Sequence, residues 1–225
     1  ALAGATLAML FAFLVIFLKP NEVASGLAVG VLGLGLSALF GKNYESLTMS
    51  GLSEFGLLAL SKIPVIGPAL FTQDIVVWLA ITGTMVLWFI LNKTKLGLII
   101  AAVGENAEAA RAIGYPVGAI RCAAVAFGGG MCGLAGAYAS TVYTPLWADG
   151  MIAGRGWIAL ALVVFGTWQT GRVAFGAVLF GVLSLGELTA QAIGVAIPSQ
   201  VLSSLPYFVT ILMLVAISRH RRHSS

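Results

Sequence analysis

Charge is scarce in this chain. Of its 225 residues, 12 are Lys or Arg and 8 are Asp or Glu, 9% in all, against about 25% in soluble globular proteins. A water-soluble domain this poor in charge lacks the polar groups to cover its own surface. Histidine is confined to His220 and His223 in the basic tail, and cysteine to Cys122 and Cys132 in one apolar stretch. Two thiols at that spacing form neither a disulfide framework nor a zinc site, and they read as small packing residues. No Gly-x-x-x-x-Gly-Lys-Ser/Thr stretch is present, so the chain is expected not to hydrolyse ATP itself. No arrangement of nucleophile, base and orienting group stands out, which argues against an enzyme. The basic residues are sparse and lie between apolar runs, which argues against nucleic acid as a partner despite the formal net charge of +4.

What is abundant is apolar surface. Hydrophobic residues make up 60% of the chain and the mean hydropathy is +1.02. Glycine numbers 28, and transmembrane helices tolerate it because it lets helix backbones approach closely. A span needs about 20 mostly apolar residues. The runs Ala1 to Leu18, Val23 to Phe40, Asp74 to Leu91, Pro116 to Thr141, Ile152 to Trp168, Val173 to Ile193 and Leu205 to Ser218 qualify or fall slightly short. They are continuously apolar without alternation, which disfavours a β-barrel. The expectation is an all-α polytopic bundle of about seven spans, in contact with membrane lipid. Gly26 with Gly30, and Gly129 with Gly133, have the spacing of close helix crossings. The first segment is apolar from Ala1, with no basic residue before it, and is read as lying inside a longer protein and not as a signal peptide.

Orientation follows from the basic residues. Lys93, Lys95 and Arg111 share one connection, and Arg219, Arg221 and Arg222 follow the last span; both places are predicted cytoplasmic by the positive-inside rule. An even number of spans separates them, so the assignment is consistent. Lys19 and Arg172 then fall inside, while 41–73, 142–151 and 194–204 fall outside. Within 41–73 a short interfacial piece is expected near Leu57 to Ile63.

The inner connection, 95–117, is the one with chemistry of its own. Gly104-Glu105-Asn106-Ala107-Glu108-Ala109-Ala110-Arg111-Ala112-Ile113-Gly114 is too polar to cross a bilayer. It predicts a short helix over Glu105 to Ile113 with a small-residue face, stopped by Gly114. Small alanines suit seating in a partner's groove, Glu105, Glu108 and Arg111 would set register from its rim, and the flanking glycines allow sharp entry and exit. An interfacial connecting helix without a partner fits the same residues.

This stretch resembles the coupling segment of ABC importer permeases in the branched-chain amino acid, ribose and nucleoside branch. Three further stretches are similar to the nucleoside and simple-sugar permeases: Asn21-Glu22-Val23-Ala24-Ser25-Gly26-Leu27-Ala28, Gly150-Met151-Ile152-Ala153-Gly154-Arg155-Gly156-Trp157-Ile158-Ala159-Leu160-Ala161, and Ile197-Pro198-Ser199-Gln200 followed by Leu205-Pro206-Tyr207. They come in the family's order and cover nearly the whole chain. The sequence departs from the family at Thr170, where such permeases often carry proline, and it lacks the earliest helices of a full permease.

The resemblance implies one transmembrane permease domain over residues 1–225, paired with a second permease in the bacterial inner membrane, its C-terminus cytoplasmic. It also implies a cytoplasmic ABC ATPase dimer carrying ATP and magnesium, and an extracytoplasmic lipoprotein receptor delivering a nucleoside or simple sugar. The ATPase-coupling residues would be Gly104, Glu105, Asn106, Glu108, Ala109, Arg111 and Gly114. A solute path for such a molecule wants hydrogen-bonding groups, for which Asn21, Ser25, Glu187 and Gln191 are candidates, and an aromatic surface, for which Trp157 and Phe165 are candidates. Glu187 and Gln191 share a helix face four residues apart, where bonds to neighbouring helices are the competing use. Trp147, Trp157 and Trp168 equally fit an interfacial belt. Alternatives are a branched-chain amino acid or ribose-type permease, or an ion-driven carrier. A carrier would want intramembrane charged pairs and a repeated half, and neither is evident.

Overall fold

In the computed structural model the described residues are 1–18, 20–45, 74–152 and 154–193, with Ser204 and Phe208. Lys19, the Leu57 to Ile63 piece, the last loop, the Leu205 to Ser218 span and the basic tail therefore lie outside the described residues, apart from those two positions. The chain divides into two compact units, Ala1–Ile152 and Ala153–Ser225. Among the described residues all regular structure is helical, with one isolated parallel bridge between Glu45 and Trp147.

The first unit contains α1 (Leu2–Phe13), continued by a π-helical turn Leu14–Leu18; α2 (Glu22–Gly41), continued by a 3-10 turn Lys42–Tyr44; α3 (Ile75–Lys93); α4 (Lys95–Glu105); α5 (Ala107–Ala112); and α6 (Val117–Tyr138), continued by a π-helical turn Ala139–Tyr143. The second contains α7 (Arg155–Phe165) and α8 (Thr170–Ala192). Among the described residues three stretches are long and apolar enough to cross a membrane: Glu22–Tyr44, Ile75–Lys93 and Val117–Tyr143. Leu2–Leu18, Arg155–Val164 and Thr170–Gly186 are shorter apolar helical stretches.

The helices follow the expected runs with one instructive exception. The predicted span Ile152 to Trp168 contracts to α7, eleven residues. Gly154, at φ 83°, starts the helix and Gly166 ends it; Thr167 and Trp168 then adopt φ 50° and 61°, outside the helical region. At 1.5 Å per residue α7 is about 16 Å long, roughly half of a hydrocarbon core, so it does not cross alone. A Cβ on Gly166 would collide with Val173 Cγ2 and lie 2.8 Å from the Val173 nitrogen, so the missing side chain is what lets α8 turn back so tightly. Arg172 closes the corner by donating from Nη1 to Thr167 Oγ1 at 2.9 Å.

Packing in the first unit is built on α1 against α6. Gly4 and Ala8 of α1, one turn apart, meet Gly129 and Gly133 of α6. A Cβ on Gly129 would land on Ala8 Cβ and 2.6 Å from the Gly4 carbonyl oxygen; one on Gly133 would sit 3.2 Å from Ala1 Cα. Small residues four apart on both helices let the backbones touch, the dominant means of association where lipid leaves no hydrophobic driving force between helices. The pair Gly26 and Gly30 does not behave as its spacing predicts. A Cβ on Gly26 would lie 3.7 Å from Phe11 Cε2 and one on Gly33 3.4 Å from Leu7 Cδ1, while one on Gly30 would meet nothing within 4 Å. Gly26 and Gly33 are seven residues apart, about two turns, and so lie nearly above one another; four residues overshoot that line. Trp147 seats its indole on Gly41, which has no side chain to obstruct it.

The outer faces are apolar. Val23, Leu27, Val31 and Leu34 of α2 and Leu79, Met85, Val86 and Phe89 of α3 are exposed, and α3 has no buried residue along its 19 positions. In water such helices would aggregate. Against lipid tails or a neighbouring membrane helix the same surface carries no penalty.

Candidate functional site: a braced helical elbow

Between α3 and α6 the chain makes two corners. At the first, Thr94 Oγ1 donates to the Ile90 carbonyl at 2.6 Å and accepts from Gly97 N–H at 3.4 Å. Gly97 is buried, and a Cβ there would collide with the Leu91 carbonyl oxygen and stand 2.6 Å from that of Ile90. Lys95–Glu105 then runs as α4, an apolar helix of eleven residues.

The second corner is Asn106. The sequence predicts one helix over Glu105 to Ile113; the structure breaks it at Asn106, which adopts φ −145° and ψ 94°. Its N–H donates to the Ala102 carbonyl at 3.0 Å, ending α4. Its side-chain oxygen accepts from Glu108 N–H at 3.1 Å and Ala109 N–H at 3.0 Å, starting α5. Asparagine competes well with the helix for backbone hydrogen bonds, which makes it a good cap and a poor interior residue. Two expectations are corrected by this break. Glu105 closes α4 and so does not share α5 with Glu108 and Arg111. Gly104 lies within α4, so the sharp entry is made by Asn106.

The exit is as tightly specified. Gly114 sits at φ 93°, in the left-handed region that favours glycine. The Tyr115 N–H donates to the Ala110 carbonyl at 3.1 Å, and the Gly114 N–H to the Arg111 carbonyl at 3.0 Å. These two bonds form the Schellman ending, which satisfies the last carbonyls of a six-residue helix.

One face of the elbow is packed and the other is bare. Val103 of α4, Ala110 of α5 and Val117 of α6 are 2%, 2% and 4% exposed and form one cluster, flanked by Ala107 and Ile120. α5 is thus braced against the helices on either side of it. The uncovered residues are Gly104, Glu105, Asn106, Glu108, Ala109, Arg111, Ala112, Ile113 and Gly114. Glu108 lies in the first turn and Arg111 in the last, the arrangement the helix dipole favours.

The proposed path residues fall differently. Asn21 caps α2, its Oδ1 accepting from Val23 N–H at 2.9 Å and Ala24 N–H at 3.1 Å. The buried Ser25 donates from Oγ to the Asn21 carbonyl at 2.9 Å. The hydrogen bonds the structure gives these two residues are therefore local and build the first turn of α2. Trp157 is 68% exposed near the start of α7. Phe165 ends α7, and Glu187 and Gln191 lie on α8; the side chains of these three lie outside what the structure describes.

Residues 1–218 match the model of the family described as branched-chain amino acid transport system / permease component. The chain belongs to the ABC importer permeases. It is 37% identical to a protein of Haloferax volcanii named as the glucose ABC transporter permease TsgC13, covering 94% of this chain and 71% of that one. It is 34% identical to the nucleoside ABC transporter permease NupC of Lactococcus lactis, over 95% and 70%. It is 32% identical to the guanosine ABC transporter permease NupQ of Bacillus subtilis, over 94% and 69%. No solved structure matches it. The protein is accordingly an integral membrane permease subunit of an ABC importer, a transport component that works with an ATPase and a substrate-binding protein.

Sequence reading missed one feature of the permease. The small residues Gly4 and Ala8 that receive Gly129 and Gly133 went unnoticed because α1 carries many small residues and only the partner helix selects which of them matter.

Proposed function

We propose that this permease, paired with a second permease subunit, forms the path for a nucleoside, with a simple sugar as the second choice of solute. The elbow from α4 through α5 to the start of α6 lies on the cytoplasmic side in this reading, as does the C-terminus, since Lys93 precedes the one, Lys95 and Arg111 belong to it, and Arg219, Arg221 and Arg222 belong to the other. The partner ATPase dimer binds ATP with magnesium and hydrolyses the ATP, and a lipoprotein receptor delivers solute on the opposite side. The solute class is supported by the names of the relatives, two of the three being nucleoside or guanosine permeases and the other a glucose permease.

The observation that carries the coupling role is the braced elbow. A six-residue helix capped at both ends is too short to be stable by itself. It holds here because Ala110 is clamped between Val103 and Val117. Movement of α5 by a docked ATPase therefore has to move α4 and α6, and through the Gly4 and Gly129 crossing it has to move α1. That makes a small displacement at the ATPase a rigid-body displacement of membrane helices. Gly104, Glu105, Glu108, Ala109 and Arg111 form the contact surface, while Asn106 and Gly114 shape it. On α7 and α8, Trp157, Phe165, Glu187 and Gln191 are the candidates for the path. Intramembrane polar residues usually face a bundle interior or a water-filled route.

The test is uptake of labelled guanosine and glucose by membrane vesicles containing the complete complex. ATP-dependent guanosine uptake that unlabelled nucleosides suppress is the expected result. Uptake of glucose alone replaces the first solute by the second. Uptake of neither, with the complex intact and its ATPase active, refutes both.

A further inference from the structure

We infer that α7 is a half-length membrane helix whose start stands in the middle of the bilayer, and that Arg155 there touches the solute, an assignment that rests on the importer reading above and adds a residue to its path. The lengths of two helices carry it. α8 has 23 residues, about 35 Å, enough to cross a hydrocarbon core of about 30 Å. Its first turn holds Arg172, which bonds back across the corner to Thr167, and Trp168 and Gln169 are exposed beside it. A corner with these groups belongs at the headgroups, where an arginine keeps its hydration. α7 meets the same corner with 11 residues, about 16 Å. Whatever its tilt, its far end does not reach the opposite headgroups.

α7 is also no surface helix. From Trp157 to Phe165 it reads Trp-Ile-Ala-Leu-Ala-Leu-Val-Val-Phe, apolar on every side, whereas a helix lying in the interface needs a polar face. It therefore runs into the hydrocarbon, and its first residue, Arg155, comes to rest about halfway through. Gly154, in the left-handed region at φ 83°, puts irregular backbone at the same depth. Such backbone is tolerated only where it is packed in protein or lines a water-filled cavity. Gly154, Arg155, Gly156 and Trp157 are all exposed, and a Cβ on Gly154 or Gly156 would meet nothing within 4 Å among the described residues. The open alternative is the cavity, and an arginine at that depth marks a polar route.

The chemistry at this point suits a nucleoside. The guanidinium is a planar donor that is never an acceptor, so it matches the carbonyl oxygens and ring nitrogens of a base. Trp157, 68% exposed two residues on, offers an aromatic face on which a base can stack. A hydrogen bond to a charged donor is worth more away from bulk water.

The experiment uses the complete importer in vesicles, with Cys122 and Cys132 replaced by serine. Bimane on Gly156→Cys is compared with bimane on Gln169→Cys, using lipids that carry a nitroxide quencher either at the headgroup or at mid-chain. The label at 169 should be quenched best from the headgroup and the label at 156 from mid-chain. Equal depths, or both labels at headgroup depth, overturn the half-span. The free thiol of Gly156→Cys should also react with a water-soluble thiol reagent; a deep position that never reacts is packed in protein and overturns the polar route.

Uptake then tests the contact with solute. Arg155→Ala should raise the KM for guanosine on the order of tenfold while the ATPase stays bound; an unchanged KM overturns the contact. Should that variant fail to assemble, guanosine present during turnover should slow the labelling of Gly156→Cys, and labelling that guanosine does not alter overturns the contact instead. Absence of guanosine uptake in the wild type overturns the solute reading, and the contact with it, whatever depth the labels report.

Discussion

The contact between α1 and α6 allows a prediction with its own control one residue away. Gly128 and Gly129 are neighbours on α6, yet a Cβ on Gly128 meets nothing within 4 Å, whereas one on Gly129 lands on Ala8 Cβ and stands 2.6 Å from the Gly4 carbonyl oxygen. Carbon and carbonyl oxygen prefer about 3.3 Å or more, so Gly129→Ala must part the helices by at least about 0.7 Å, and the collision with Ala8 Cβ asks for more. The obstructions are the Gly4 backbone and the Ala8 Cβ, which is fixed to its own backbone, and neither can swing aside. Overpacking of this kind costs about 1–3 kcal/mol, and the better helix propensity of alanine returns about 1 kcal/mol. The net is a loss of up to about 2 kcal/mol, a fall of several degrees in Tm for a chain of this size at roughly 2–4 °C per kcal/mol. Gly128→Ala incurs no collision and keeps the propensity gain, so it should hold or raise Tm. Thermal unfolding of the purified permease in one detergent, both variants side by side, is the assay. If both shift together, up or down, the packing of α1 on α6 through these glycines is wrong.

Two further outcomes bear on the elbow. Gly97→Ala should lower Tm by several degrees and reduce uptake, because its methyl group meets the Leu91 and Ile90 carbonyls and overpacking against backbone costs about 1–3 kcal/mol; unfolding and transport measured on the same preparation check it. Asn106→Ala removes the two cap bonds of α5 and should cost about 1 kcal/mol. Coupled ATP hydrolysis should fall with it, whereas Asp or Ser at 106, which also cap, should restore both; full activity in the alanine variant would mean that the cap does not set the elbow.

Membrane residence, the all-helical class and the positions of most helices were legible in the sequence, because burial in lipid demands nothing but length and apolar composition. The end of α5 was legible because a single residue decides it, at Gly114, whereas the capping role of Asn21 was not read. The break at Asn106 was not read: a helix-forming composition surrounds it, and the asparagine has two alternatives of nearly equal local merit.

What the sequence determined by itself was therefore the solvent, the helical class, the family and the short polar segment that interrupts the apolar runs. Tertiary structure decided which small residues touch, because Gly30 and Gly129 are chemically identical and only the neighbouring helix separates a contact from open space. It decided that α7 stops after eleven residues, since Gly166 must lie against Val173 for α8 to turn back. It also decided which side of α5 is bare. Ala109, Ala110 and Ala112 are the same residue, and only the packing of Val103 and Val117 buries Ala110 and leaves the charges and Ile113 uncovered.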